Sequence, residues 1–350
     1  MRQRNASPRR RLLVWATALV LLLGVGAGTA VTWQNTYALR EERVTVRHEG
    51  RDLDGVLALP ESGEGPFGLV VFVHGDGPVD ATHDTFYRPL WEAFARAGYA
   101  SLSLSKPGVG DSEGDWLDQS MDDRAEETLA AVSWGRARPD IDGHRVGLWG
   151  ASQAGWVLPK VAARDGALRF VIAVSPAVDW LRQGRYNLMA ELRESEATPG
   201  ETREALRRRE TTLRLLREGA DFERYRDAVG GPQAMTAERW RFVGRNFRSN
   251  ASADLRSMGG TPTLLVLAGH DLNVDVTDTE TTYRRLLPPD SLTVRYYPDA
   301  THSLVRNDLE GDPVPLTLTA LLAPRQLFAP GFLDDQQRFL ERVSDGEGAA

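Results

Sequence analysis

The chain has 350 residues, six histidines, no cysteine and a net charge of -7. Without cysteine there is no thiolate nucleophile, no Cys-ligated zinc, no iron–sulfur cluster and no lipidated N-terminal cysteine. Hydrophobic residues make up 41%, a globular composition that excludes wholly disordered, collagen-like and disulfide-scaffold chains.

The charge falls into two parts. Residues 1–30 hold Arg2, Arg4, Arg9, Arg10 and Arg11 and no acid, which leaves -12 on the remainder. An acidic body argues against a nucleic-acid partner, because phosphate neutralisation needs a basic face. Residues 12–33 are uncharged and rich in Leu, Val and Ala. As a helix this run spans about 33 Å, enough for a hydrocarbon core of about 30 Å. The arginines before it predict a cytoplasmic N-terminus and an exported body. Residues 1–36 thus read as a basic stub plus a signal anchor, with Trp33 and Tyr37 at the outer interface. The alternative is a cleaved signal peptide ending at Gly28-Thr29-Ala30. Ser7-Pro8-Arg9-Arg10-Arg11-Leu12-Leu13 also resembles a twin-arginine export signal.

Downstream, residues 44–46 and 56–59 read as strands joined by a polar turn at 49–54. Residues 68–73 form a short apolar run, a buried strand by length, and His74-Gly75-Asp76-Gly77-Pro78 follows as a sharp loop. Helical spacing over 86–97 precedes a strand over 99–104. A helix over 122–138, a strand over 145–149, a helix over 153–164 and a strand over 168–174 complete the first half. Residues 179–256 are Arg/Glu-rich and helical in propensity, broken by Pro199, Gly230-Gly231 and Pro232. Strand–helix alternation then resumes, with strands over 262–267 and 291–297, a helix over 279–287 between them, and a last helix over 333–343. Such alternation implies parallel βαβ units. The expected organisation is an α/β core over 40–178 and 257–345, mostly parallel with helices on both faces, interrupted by a helical cap over 179–256.

The segment that carries chemistry is Gly150-Ala151-Ser152-Gln153-Ala154-Gly155. A strand runs into Gly-x-Ser-x-Ala-Gly, which opens a helix. A sharp turn there holds the serine in a strained backbone and needs small neighbours, which Gly150 and Ala154 supply. It projects Ser152 Oγ over the strand ends, near the positive end of the next helix. Two other patterns carry no cofactor. Asp271-Leu272-Asn273-Val274-Asp275 begins like a calcium loop, but Val276 replaces the turning glycine and Thr282 the bidentate Glu. Gly108-x-Gly110 lacks the remaining glycine of a dinucleotide fingerprint. No metal and no cofactor are expected.

The serine segment resembles the nucleophile elbow of the α/β-hydrolase superfamily, with Ala154 where that superfamily has glycine. Val71-Phe72-Val73-His74-Gly75 resembles its oxyanion-loop strand. Residues 99–112 resemble its next strand and loop, with Ser105 where Asp is common. The superfamily's order of Ser, acid, His is met by His270-Asp271 after one late strand and Pro298-Asp299-Ala300-Thr301-His302 after the next. The resemblance covers residues 44–178 and 258–343. It is nearest to dienelactone-hydrolase-like and esterase or peptidase-like branches.

That resemblance implies a triad of Ser152, Asp271 and His302. Asp275 is an alternative acid. Oxyanion donors would be the backbone N–H groups of Gln153 and, from the 74–77 loop, Asp76. His74 would be structural. The implied reaction is hydrolysis of a small-molecule carboxylic ester through an acyl-serine. A peptidase, a thioesterase or acyltransferase, or a catalytically silent membrane-anchored binding protein on the same fold remain alternatives. Trp180, Tyr186, Leu188, Met189, Tyr225, Met235, Trp240 and Phe242 are candidates either to line a pocket in the cap or to pack the cap onto the core.

Overall fold

The structure is a computed structural model that describes residues 26, 28–231 and 234–346. Most of the 12–33 run, the expected anchor or signal, therefore lies outside the described residues. Among the described residues no helix is long and apolar enough to cross a membrane. Residues 28–35 are helical.

An eight-stranded sheet organises the body. Its strands are β1 (Leu39–His48), β2 (Arg51–Pro60), β3 (Phe67–Val73), β4 (Tyr99–Leu104), β5 (Ile141–Ala151), β6 (Val171–Val174), β7 (Thr263–His270) and β8 (Leu292–Thr301). The spatial order is β1-β2-β4-β3-β5-β6-β7-β8. β2 pairs antiparallel with β1 and β4, and the rest of the sheet is parallel. The turn between β1 and β2 is tighter than the sequence suggests. Only Glu49 and Gly50 separate the strands, at φ 49° and 79°. Two successive left-handed residues match the twist of a two-residue hairpin.

Side chains alternate across the sheet. Leu69, Val71 and Val73 of β3 enter one hydrophobic cluster, while Val70 and Phe72 enter another. The first cluster takes in helices Met121–Arg136 and Leu158–Arg164, and the second helices Arg88–Arg96 and Phe332–Ser344. Helices thus cover both faces, which a parallel sheet requires.

Between β6 and β7 run helices Trp180–Glu194, Pro199–Arg217, Phe222–Val229, Ala237–Asn246 and Ser252–Ser257. The insertion enters and leaves at one point. Asp179 bridges to Asn250, Trp180 N–H donates to Ser249 O at 3.0 Å, and Ala251 N–H to Val178 O at 2.8 Å. A further apolar helix, Pro313–Leu322, follows β8. The sequence reading contains no element there.

Candidate active site

The C-terminal ends of parallel strands open into a crevice where ligands of such sheets bind. Because β3, β5, β6, β7 and β8 are consecutive neighbours, the residues that follow them converge. Ser152 follows β5, Asp271 follows β7, His302 follows β8, and the 74–77 loop follows β3.

Ser152 has φ +57°, a left-handed conformation that a non-glycine residue adopts only under constraint. β5 runs in as extended backbone and the chain turns at once into a 3₁₀ segment, Ser152–Trp156. Gly150 must be small, since a Cβ there would lie 2.7 Å from Ala154 Cβ and 2.9 Å from Val73 O, and the same need extends to Gly155. Ala154 is fully buried and keeps its methyl group. A Cβ on Gly155 would lie 2.3 Å from Ala177 O.

His302 Nδ1 lies 2.8 Å from Asp271 Oδ2. An ionised carboxylate only accepts, so Nδ1 carries the proton and Nε2 is free to take one. Asp271 is buried, and its Oδ1 accepts the backbone N–H groups of Asn273 and Val274, each at 2.8 Å. Three donors therefore hold one carboxylate in place. Asp275 is committed elsewhere: its Oδ1 caps helix Val276–Leu286 by accepting from Thr277 N–H and Asp278 N–H at 3.1 Å. The two strands that carry the pair pack closely, since a Cβ on Gly269 would lie 2.2 Å from Pro298 O. The insertion touches the acid's loop as well. Tyr186 OH donates to Asp271 O at 2.8 Å, and Asn187 Nδ2 to Leu272 O at 3.2 Å.

Ser152 and His302 line one cavity of about 740 Å³. Among the described residues no hydrogen bond joins them; catalytic contacts of this kind tighten in the complex with substrate. Phe86, Leu90, Trp149, Phe328 and Phe332 give this cavity an aromatic and apolar wall, and Leu316 and Ala320 come from the Pro313–Leu322 helix. Of the candidate cap aromatics only Trp180 lines it. Tyr225 instead stacks on Trp240 with centroids 4.2 Å apart, and Phe242 packs edge-on to Trp116 at 5.5 Å. Leu188, Tyr225 and Met235 line a separate groove of the insertion.

The 74–77 loop is held from behind by cations. Lys106 Nζ donates to Gly75 O and Arg124 Nη2 to His74 O, both at 2.6 Å. A trans peptide points its N–H opposite to its C=O, so the grip on Gly75 O turns Asp76 N–H the other way. Arg124 Nη1 also donates to Gln153 Oε1 at 2.7 Å, and Gln153 Nε2 to Asp76 Oδ1 at 3.0 Å. Arg239, from the insertion, grips Asp76 with two bonds of 2.9 and 2.5 Å. Burial pushes the Asp76 carboxyl up, but the bonds and charge of Arg239 outweigh it and hold it below the usual range. Burial, with the Arg124 charge, pulls Lys106 well below its usual range. His74 is buried. It has Tyr87 OH 3.1 Å from Nδ1 and Leu104 O 2.6 Å from Nε2, the setting of a structural, neutral imidazole. Burial and the Lys106 charge lower it to about 3, against the bond to Leu104 O.

Lys106, Arg124 and Arg239 escape the sequence reading. For the arginines no signal exists among so many others. Lys106 is one of only two lysines in the chain and sits in the loop after a buried strand, which is a usable hint. Among the described residues no group of three or more His, Cys, Asp or Glu side chains is placed to hold a metal ion.

Known proteins agree with this architecture. The structure of Est1E from Butyrivibrio proteoclasticus, with ferulic acid bound, superimposes with a TM-score of 0.54 over 88% of this chain and 100% of that one, at 16% identity. The α/β hydrolase GrgF from Penicillium superimposes with a TM-score of 0.55 over 87% of this chain and 99% of that one, at 19% identity, and this likeness establishes the α/β-hydrolase fold. In sequence, the quorum-quenching protein AidA of Acinetobacter baumannii is 34% identical over 113 residues, 32% of this chain and 36% of that protein. The thiohydrolase aneE of Aspergillus aculeatus is 31% identical over 133 residues, 37% of this chain and 40% of that protein. The chain thus spans well under half the length of the curated relatives it matches. The sequence model of the X-Pro dipeptidyl-peptidase (S15) family matches residues 31–295. With the fold and that match together, the chain belongs to the X-Pro dipeptidyl-peptidase (S15) family of α/β-hydrolases.

Proposed function

We propose that the protein is a serine hydrolase that cleaves carboxylic esters of small molecules. The observation that carries this reading is the 2.8 Å Asp271–His302 bond on the same cavity as a serine held at φ +57°. His302 Nε2 removes the proton from Ser152 Oγ as Oγ bonds to the acyl carbon. Backbone N–H groups of Asp76 and Gln153 hold the oxyanion. The imidazolium, stabilised by Asp271, protonates the leaving alkoxide as the C–O bond breaks. Water then attacks the acyl-serine, with His302 again as base, and the acid leaves. An apolar, aromatic cavity wall suits an acyl or aryl ester.

The family match favours a peptidase as the second reading. A free peptide N-terminus would need a carboxylate. The cavity's two carboxylates are Asp76, already engaged by Arg239, and Glu310. Ester, thioester and free-amine dipeptide amide substrates of matched acyl groups separate these readings by kcat/KM. A fluorophosphonate probe tests the nucleophile. Labelling that vanishes in Ser152→Ala is expected; a folded wild-type protein that stays unlabelled overturns the hydrolase.

The same reading places the body outside the cytoplasm, tethered by residues 12–33. Support comes from the basic flank and uncharged run; Arg325, which donates to the carbonyls of Trp33, Gln34 and Thr36 at 2.6–2.9 Å, fixes the segment after that run to the body. The mass of the chain isolated from membranes distinguishes an intact anchor from cleavage after Ala30.

A further inference from the structure

The Pro313–Leu322 helix has an unusual surface. It contains no charged residue. Val314, Leu318, Leu321 and Leu322 are 64%, 52%, 63% and 47% exposed. They stand at i, i+4, i+7 and i+8, one face of a helix. Leu316 and Ala320, at other angles, line the cavity. One face of this helix therefore forms a wall of the candidate active site, and another presents bare aliphatic side chains outward.

What lies beside it identifies what covers it. Asn35 Nδ2 donates to Leu321 O at 3.0 Å. The Arg325 guanidinium lies 5.1 Å over the Trp33 ring and 4.5 Å over the Tyr37 ring. Trp33 itself is 62% exposed. These contacts join the apolar helix to the stretch of chain that directly follows the uncharged 12–33 run. If that run crosses a bilayer, the helix is held where the run leaves it, at the level at which Trp and Tyr concentrate. Ten residues make a helix of about 15 Å, too short to cross about 30 Å of hydrocarbon. Against a bilayer, an apolar face of that length lies on the interface rather than across it.

We propose that the Val314/Leu318/Leu321/Leu322 face seats in a lipid bilayer, with Trp33, so that the body docks on the membrane through a wall of its own cavity. This rests on the anchor reading of residues 12–33. It deepens the hydrolase reading by presenting the site to esters dissolved in, or leaving, the lipid phase. A second copy of the chain is the competing occupant.

The absence of cysteine makes the test clean. A single Leu318→Cys substitution in the full-length chain is labelled with an environment-sensitive fluorophore and reconstituted in phosphatidylcholine vesicles in which a minority of the lipid carries a doxyl nitroxide. Val314→Cys repeats the measurement on the same stripe. His144→Cys, exposed near the start of β5, reports the opposite end of the sheet. Docking predicts a blue shift and loss of most emission to the nitroxide lipid at 318 and 314, with little quenching by aqueous iodide. The reverse is expected at 144. Iodide quenching at 318 and 314 equal to that at 144, without nitroxide quenching, overturns the proposal. Protection from both quenchers, together with a concentration-dependent rise in oligomer mass, assigns the face to a second copy and also overturns it. Circular dichroism and an unchanged thermal midpoint of the labelled variants report a folded body. Nitroxide quenching supports docking whether or not Ser152 proves catalytic, so the two readings fail separately.

Discussion

A carboxylate next to an oxyanion site is a liability. Negative charge grows on the substrate oxygen in the transition state, and Asp76, whose N–H is the proposed donor, carries a negative side chain. Arg239 offsets that charge with its two bonds to the carboxylate. In Arg239→Gln the Asp76 carboxyl loses its counter-ion and burial raises it, so the comparison is made at a pH well above the usual carboxylate range, where the unpaired charge opposes the oxyanion. A residual penalty of about 1.4 kcal/mol, discounted for the solvent that reaches both groups, lowers kcat about tenfold. Adding Asp76→Asn in the Arg239→Gln background removes the offending charge and recovers most of the loss. If the double variant is no better than Arg239→Gln alone, charge at Asp76 is not the reason. Lys106 acts one step further back, through the carbonyl of Gly75. Lys106→Met frees that peptide to rotate, so kcat falls while KM stays close to wild type; a change confined to KM would assign Lys106 to substrate binding. Ser152, Asp271 and His302 stand out in the sequence because each lies just past a predicted strand, in an order a known superfamily shares, and because histidine is scarce in this chain. The cations behind them do not, because their roles come from contacts between distant segments, 163 residues apart for Arg239 and Asp76.

At the scale of elements, the eight strands are readable as short apolar runs between turn residues, and all eight form. The turn after β5 is less so. The sequence places the need for small residues at Gly150 and Ala154, and a Cβ on Gly150 would meet Ala154 Cβ at 2.7 Å; what it does not mark is the approach of the 3₁₀ segment Ser152–Trp156 to the chain leaving β6, where Gly155 meets the backbone of Ala177. Gly155→Ala must move backbone, and overpacking of this kind costs about 1–3 kcal/mol. A lowered thermal midpoint is expected from calorimetry, together with weaker fluorophosphonate labelling at Ser152, because the displaced segment carries the serine. An unchanged midpoint would mean that the 155 and 177 segments separate freely. The Pro313–Leu322 helix was missed for a different reason. Its residues are apolar nearly all round, so no polar–apolar alternation marks a helix, and its two prolines read as loop. In the fold its start is compatible with both: Pro313 occupies the first turn, where its missing N–H is not needed, and Asp312 caps the end by accepting Val314 N–H at 2.9 Å.

For the molecule as a whole, the buried basic layer under the 74–77 loop makes acid a direct threat to folding. His74 is neutral inside the protein because burial and the nearby Lys106 and Arg124 charges oppose protonation, bringing it to about 3 from an unfolded value of 6.5. Between those values the unfolded chain binds a proton at this site that the folded chain does not. Stability contributed here is therefore complete above about pH 6.5 and is lost progressively as pH falls toward 3, with a slope of up to about 1.4 kcal/mol per pH unit. His74→Gln isolates that effect. Its amide keeps one donor for Leu104 O and one acceptor for Tyr87 OH, but it does not titrate. Denaturant midpoints of both proteins at pH 7 and at pH 5 supply the comparison. The wild type is expected to lose more stability than His74→Gln over that interval, by about one proton's worth of slope. Parallel losses would show that His74 is protonated in the folded protein, and that the Lys106 and Arg124 charges are screened from it.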